Sequence, residues 1–192
     1  MARMGKRKKQ AKVLRIFRKV HRTTGAFLFI FFFFISVSGL ILGWKKNSNG
    51  YILPETQQGT TANLKEWLPV DSLHTIALHT IHDEISHTSF EVDRIDIRKE
   101  KGSVKFLFVN SFYEVQLDGA TGKVLSIGQR RSDFLENIHD GSIVDDYLGT
   151  NGYIKLVYTS VMGISLLIFT ITGFWLWYGP KRMKKAKNKA IT

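Results

Sequence analysis

Two long apolar segments, separated by a polar stretch, dominate the pattern of the chain. The first, residues 23–44, has 22 residues and no charged side chain. At about 1.5 Å per residue its helix would be about 30 Å long, the thickness of a bilayer's hydrocarbon core. Its consecutive phenylalanines, Phe31–Phe34, make that helix apolar all round, which favours lipid over a one-sided core. The second segment, residues 152–178, carries one charge, Lys155, near its start. We therefore predict two transmembrane helices.

The first apolar segment also shares features with a signal peptide. It has a basic flank and a small-x-small sequence at 36–38. It continues to Trp44, however, which is longer than a typical signal core, so we interpret it as an uncleaved anchor. Small residues in both segments are expected to let the helices approach closely. These are Ser36, Gly39 and Gly43 in the first segment, and Ser160, Gly163 and Gly173 in the second.

The segment between the apolar stretches begins as a polar linker, residues 47–63. Pro69 then precedes a predicted helix, with Asp71 or Ser72 as its N-cap. Apolar residues at helical spacing give this helix one apolar face. They are Leu73, Ile76, Ala77, Ile81 and Ile85.

Four short runs of alternating or β-branched residues follow the helix. They cover 92–97, 104–108, 112–117 and 124–127, and turns are predicted at 101–102, 110–111 and 118–122. One helix followed by an antiparallel meander indicates a small α+β domain, in which the helix covers one face of the sheet.

The charge distribution orients the predicted helices. The net charge of +12 would suit a nucleic-acid partner, but residues 1–22 hold ten Lys/Arg and no Asp/Glu, and residues 181–192 hold six and none. The remainder has a net charge of −4. Positive charge beside the apolar segments places both termini in the cytoplasm. We therefore expect no nucleic-acid partner.

Residues 11–20 mix apolar and basic positions at helical spacing, and we expect them to lie on the anionic inner membrane surface.

These patterns divide the chain into five parts. A cytoplasmic basic arm (1–22) leads into the first transmembrane helix (23–44), and a periplasmic domain with linkers (45–151) follows. The second transmembrane helix (152–178) ends in a cytoplasmic basic tail (179–192). In a diderm bacterium, such a protein lies in the inner membrane and its outer side is the periplasm. The chain has no cysteine, which excludes disulfides, thiol catalysis, Fe–S clusters and cysteine-based zinc sites.

Three pieces of the chain resemble the PepSY-associated transmembrane family. The first is Lys19–Gly25 (KVHRTTG), which leads into a helix ending Ser38-Gly39-Leu40. The second is Tyr113–Val124, similar to the closing hairpin of a PepSY module. The third is Ile138–Gly141 (IHDG), which precedes a helix ending Thr172–Trp177 (TGFWLW). Together the three pieces cover most of residues 19–182, and their order and spacing make the resemblance specific. The resemblance implies two transmembrane helices around one PepSY-like domain.

The resemblance also implies a function in iron uptake. Larger members of the family have more membrane helices and include ferric-siderophore reductases, which hold b-type haem through helix histidines. By this resemblance the chain is a haem-dependent reductase of ferric chelates, or a subunit of one, that moves electrons across the membrane. The alternative is a non-enzymatic, membrane-tethered PepSY module that binds or regulates a periplasmic or membrane partner, as the small size favours.

His21 and His139 are the candidate cofactor and metal ligands. His21 lies at the predicted cytoplasmic end of the first helix, where Arg18 and Arg22 are expected to hold haem propionates. His139 precedes the second helix on the other side of the bilayer. The two histidines therefore cannot share one iron within a monomer. A homodimer, or a membrane-protein partner with similar histidines, would supply the second ligand of each haem.

Other interpretations remain open for these histidines. His21 is also explained as an ordinary interfacial histidine in a basic flank. His139 lies in an acidic stretch that suits a hard cation or ferric iron, but that stretch is equally explained as a solvated loop in which His139 hydrogen-bonds locally. The acidic residues are Asp133, Glu136, Asp140, Asp145 and Asp146.

Four further histidines accompany the predicted helix of the central domain. His79 and His82 share one helix face, as half a metal site requires, but the polar face of an amphipathic helix explains them better. His74 and His87 lie nearby. The chain has no nucleotide-binding glycine loop, no His-Glu-x-x-His and no serine nucleophile elbow. The sequence thus contains no complete set of catalytic residues that a known motif would identify.

Overall fold

The computed structural model describes residues 2–85, 90–109 and 111–188. In these ranges the chain forms two compact units, a helical unit (1–39 and 138–192) and a sheet unit (40–137). The α-helices are α1 (Ala2–Gly43), α2 (Val70–Glu84), α3 (Arg131–Asp140), α4 (Ser142–Leu148) and α5 (Tyr153–Asn188). The strands are β1 (Val92–Arg98), β2 (Ser103–Phe108), β3 (Tyr113–Asp118) and β4 (Val124–Gln129).

The helical unit contains two helices that are long and apolar enough to cross a membrane. The candidate spans are Lys8–Gly43 in α1 and Tyr153–Lys185 in α5. Large apolar side chains on both helices are exposed, and Phe27 is 79% exposed. Such a surface is costly in water and suits hydrocarbon, because lipid tails solvate apolar side chains on every side of a helix. The two predicted membrane helices are thus confirmed.

Both long helices continue beyond the predicted membrane segments. Helix α1 includes the basic arm from Ala2 onward, so the predicted boundary at 22/23 coincides with no break in the helix. Part of the arm packs along α5, where the ring of Phe17 lies 6.2 Å from that of Trp175. Its predicted position on the lipid surface stays a prediction. Helix α5 runs through Pro180 to Asn188.

The small residues predicted to join the two helices do so only in part. Gly173 of α5 lies beside the His21 ring of α1, whereas Gly39 of α1 lies beside the His139 ring of α3. A Cβ added at Gly43 or Gly163 would meet nothing within 4 Å. Ser36 and Ser160 are exposed as well. That part of the prediction is wrong, because glycines in membrane helices also occur at lipid-facing positions.

The sheet unit confirms the predicted helix and antiparallel meander. The strand order is β1-β2-β3-β4, each pair antiparallel. Helix α2 covers one face, burying Leu73, Ala77 and Ile81 completely, while Ile76 and Ile85 pack at the margin. The N-cap of α2 is Pro69 without a side-chain hydrogen bond, so the predicted cap at Asp71 or Ser72 is wrong. The predicted turn residue Asn110 lies outside the described residues.

The other face of the sheet is polar, and it is buried over β2 and β3. All six residues of β2 are buried, which the alternating sequence did not predict. The cover is the segment predicted as a polar linker. Its backbone bonds the sheet: Gln57 N donates to Gln116 Oε1 (2.9 Å), and Gln116 Nε2 donates to the Glu55 carbonyl (2.8 Å). Gly59 lies so close to the turn before β2 that a Cβ would come within 2.1 Å of the Gly102 carbonyl oxygen.

Buried charges lie on this polar face. Glu114 is completely buried and bonds Lys105 Nζ at 3.1 Å and Arg130 at 2.7 Å. At the end of β3, burial raises the pKa of Asp118, but hydrogen bonds from Thr60 and from the Ala120 and Thr121 amides outweigh it and lower the pKa below its ordinary value. The charged side chains on this covered face are therefore paired or hydrogen-bonded.

Candidate histidine sites in the helical unit

His139 lies in the last turn of α3 and contacts α1. Its Nδ1 is 2.8 Å from the hydroxyl oxygen of Ser38, and Ser38 is buried. A Cβ added at Gly39 would lie 3.3 Å from Cε1 of the ring, so the glycine gives the imidazole room to approach the helix. Helix α3 ends one residue later, at Asp140, and is followed by Gly141, whose φ of +81° favours glycine. We call His139, Ser38 and Gly39 the second histidine site.

His21 forms a matching arrangement with α5. Its Nδ1 is 2.9 Å from the hydroxyl oxygen of Thr172, which is buried. A Cβ added at Gly173 would lie 3.3 Å from Cε1 of His21, the same distance as at Gly39. The His21 ring also stacks on Phe169, with centroids 3.8 Å apart. We call these four residues the first histidine site.

The hydroxyl groups fix which ring nitrogen carries the proton. Ser38 Oγ is 2.6 Å from the Phe34 carbonyl oxygen, and Thr172 Oγ1 is 2.7 Å from that of Ile168. Each hydroxyl has one hydrogen, and at these distances it must be donated to the carbonyl, since two bare oxygens would repel each other. The hydroxyl therefore accepts from Nδ1–H of the histidine. In the neutral imidazole Nε2 then holds the free electron pair.

An imidazole held in this way has the properties of a metal ligand. Metal-binding histidines use one nitrogen for the metal and donate the other N–H to a fixed acceptor, which sets tautomer and orientation. Both sites have that acceptor, which leaves the lone pair of the neutral ring on Nε2. Sequence reasoning singled out His21 and His139 but missed Ser38 and Thr172. The available signal was a hydroxyl residue followed by glycine in each apolar segment.

The two sites are far apart. Residues 21 and 38 are 17 positions apart on α1, or about 25 Å along the helix axis. The two histidines therefore do not meet, as the sequence predicted for a monomer. Arg18 and Arg22 flank His21 on α1 with exposed side chains, and their role toward haem propionates stays a prediction. Each site offers one imidazole, which is a ligand that haem iron accepts.

The acidic residues around His139 lie on helices, not in a solvated loop. Among the described residues there is no group of three or more His, Cys, Asp or Glu side chains that could hold a metal ion. Most of these acids have partners of their own. Asp133 bonds Arg130, Glu136 pairs with Lys45, and Asp140 pairs with Lys155 at 2.5 Å. The arrangement thus gives no support to a hard-cation site.

Asp145 has a structural role at the start of α5. Its carboxylate accepts from the Thr150 hydroxyl (2.5 Å) and from the backbone N–H groups of Ile154 (2.9 Å) and Lys155 (2.6 Å). Burial raises the pKa of Asp145, and these hydrogen bonds outweigh it and lower the pKa. The carboxylate thereby satisfies N–H groups that the first turn of a helix leaves free.

The histidines of the sheet unit form no comparable site in the described part of the chain. His79 and His82 are exposed on α2, as expected for its polar face. The His74 ring lies 6.4 Å from that of Phe106 at the margin of the core. His87 lies outside the described residues.

Both histidine sites lie within a region that matches a known protein family. A family model described as the PepSY-associated TM region matches residues 18–191, which include both histidine sites. No curated protein and no solved structure shows significant similarity to the chain.

Proposed function

Because the chain belongs to the PepSY-associated transmembrane family, we propose that this membrane protein binds b-type haem at its two histidine sites and carries electrons across the bilayer. The observation that supports the proposal is the repeated arrangement at the two sites. In each, a buried hydroxyl holds Nδ1 of a histidine and leaves Nε2 free for a metal.

The proposal places one haem at each end of a homodimer. Each site has one histidine, and a haem iron held by two imidazoles would need a second histidine from another chain. A second copy of the chain would bring His21 to His21 and His139 to His139, with four membrane helices around the cofactors. A membrane-protein partner with similar histidines would serve the same purpose. The bound haem supplies a one-electron carrier at each end of the path.

The proposed substrate of the electron transfer is a ferric chelate. We place the protein in the bacterial inner membrane, with both termini in the cytoplasm and the sheet unit in the periplasm, because positive charge concentrates at the termini. A cytoplasmic reductant would then supply the electron, and a ferric chelate outside would accept it, which converts ferric to ferrous iron. The residues 18 and 22 beside His21 would hold the propionates of the inner haem by charge-assisted hydrogen bonds.

The test is the visible spectrum of the detergent-purified full chain, oxidised and dithionite-reduced, with haem supplied. We expect a Soret band and sharp reduced bands equivalent to one haem per chain. His21→Ala and His139→Ala should each remove about half of that signal, since each variant removes both ligands of one haem in a symmetric dimer. His79→Ala and His82→Ala are the matched controls and should leave the spectrum unchanged.

A protein that stays colourless with added haem would refute the proposal. The remaining function would then be the non-enzymatic one, a tethered PepSY module that binds a periplasmic or membrane partner. Loss of the whole spectrum in either single variant would instead contradict two separate sites, because they lie about 25 Å apart along α1.

A further inference from the structure

A second feature of the helical unit lies beyond the histidine sites, where the basic ends of α1 and α5 meet. A cavity of about 260 Å³ opens between residues 9–14 and residues 175–183. It is separated from His21 along α1 by Phe17, whose ring packs against Trp175. Its principal lining residues are Val13, Leu14, Trp175, Met183, Lys9 and Arg182.

The floor of the cavity is apolar and depends on a glycine. Gly179 is buried, and a Cβ at this position would lie 2.4 Å from Leu14 Cδ2. The glycine therefore lets Leu14 lie against α5 beside Trp175. Binding pockets for compact organic ligands usually measure about 300–1,000 Å³. A cavity of about 260 Å³ is small for such a ligand but admits a slender apolar chain.

The rim of the cavity is basic. Lys9 and Arg182 line it, and both side chains are exposed. They lie in two segments, 1–22 and 181–192, which contain sixteen basic and no acidic residues. An apolar space with a cationic rim complements a molecule that joins an acyl chain to an anionic head. In a membrane protein such molecules surround the helices as anionic phospholipids.

We propose that this cavity is a binding site for one anionic phospholipid. One acyl chain lies along Val13, Leu14 and Trp175, and the phosphate of the head group accepts charge-assisted hydrogen bonds from Lys9 and Arg182. The site would tie the basic end of α1 to that of α5 through the lipid. This inference does not rest on haem binding.

Native mass spectrometry of the full chain in detergent tests the proposal. The probes are dioleoylphosphatidylglycerol and dioleoylphosphatidylcholine, which have the same acyl chains and differ in head-group charge. We expect the anionic lipid to bind at least tenfold more tightly. Lys9→Gln with Arg182→Gln should weaken it about 30-fold, which corresponds to about 1 kcal/mol for each basic residue. The control, Lys8→Gln with Lys184→Gln, removes the same charge from exposed residues outside the lining and should weaken it less than threefold.

A second variant tests the acyl-chain half of the site. Val13→Trp fills the cavity without changing charge, and it should weaken both lipids; Met183→Trp serves the same purpose if the first variant does not fold. Two results would overturn the proposal. One is equal weakening by the two double variants, which would indicate a diffuse attraction to the basic ends. The other is unchanged lipid binding in a folded cavity-filling variant.

Discussion

Replacing Thr172 by valine tests the tautomer that the first histidine site imposes. Valine has nearly the shape of threonine but no hydroxyl, so His21 Nδ1 loses the acceptor that lies 2.9 Å away. The Ile168 carbonyl keeps its backbone hydrogen bond, because α5 is continuous through this region. The substitution therefore removes the hydroxyl of a buried residue, both as the acceptor for His21 Nδ1 and as the donor to the Ile168 carbonyl, and leaves the backbone of the helix intact.

The size of the effect follows from the value of one such bond. Hydrogen bonds between side chains contribute about 0.6 kcal/mol on average within membrane proteins and about 1 kcal/mol in proteins generally. The ratio of the two neutral tautomers should therefore shift about threefold to fivefold away from the Nδ1–H form. Thr172→Ser keeps a hydroxyl and should restore the ratio.

Ring-nitrogen ¹⁵N NMR of the histidine-labelled full chain measures this ratio directly. The spectra are recorded at alkaline pH, and only the signals of neutral rings are compared. Thr170→Val is the matched control, because Thr170 also donates to a carbonyl of α5, at 2.8 Å, but its side chain is exposed. Unchanged His21 shifts in the Thr172→Val chain, or an equal change in the control, would refute the tautomer argument.

Three further predictions concern the sheet unit and are measured by hydrogen exchange of the β2 and β3 amides in the full chain. Glu114→Gln leaves the buried cation of Lys105 without its carboxylate, while Arg130 keeps Asp133, and it should cost about 3–5 kcal/mol. Glu100→Gln at an exposed position should cost less than about 0.5 kcal/mol, and equal costs would contradict a buried ion pair. Gly59→Ala would place a Cβ 2.1 Å from the Gly102 carbonyl oxygen, so the backbone must shift and the strands should lose stability. Gly163→Ala, with open space around it, should not destabilise them, and protected strands in the Gly59→Ala chain would refute the close approach. The pKa of Asp118 is lower in the folded chain than in the unfolded chain, so its carboxylate stabilises the fold fully above the unfolded pKa near 4. This stabilisation is lost as the pH falls through the folded pKa. Asp118→Asn should abolish this acid-dependent loss of stability, and an unaltered acid profile would show that other groups cause the loss.

The fold could be predicted where periodicity and burial agree. Residues 73, 77 and 81 recur at helical spacing, and all three side chains are completely buried under the sheet. The prediction failed where burial comes from hydrogen bonds instead of apolar area. Segment 47–63 is polar and was predicted as a linker, but its backbone and side chains bond the buried polar face of β2 and β3. Composition alone cannot reveal such a cover, because each bond depends on a partner distant in sequence.

The candidate sites were predictable only in their histidines. An imidazole in or beside an apolar segment stands out, and the sequence named His21 and His139 for that reason. Their partners were not predictable from spacing, since Thr172 is 151 positions from His21 and Ser38 is 101 from His139. Serine and threonine are common in membrane helices, where their hydroxyls bond the preceding turn. Only the packing of the helices shows which hydroxyls also accept a histidine.

The two sites together explain why each hydroxyl residue is followed by glycine. Ser38-Gly39 and Thr172-Gly173 present an acceptor and, beside it, a position without a side chain. The missing Cβ would lie 3.3 Å from Cε1 of the ring in both sites, a distance at which a neighbour must move by a few tenths of an ångström. Alanine at either glycine would therefore push the imidazole away from its hydroxyl. A histidine bond of 2.8–2.9 Å needs both residues, so the dipeptide, not the hydroxyl alone, defines each site.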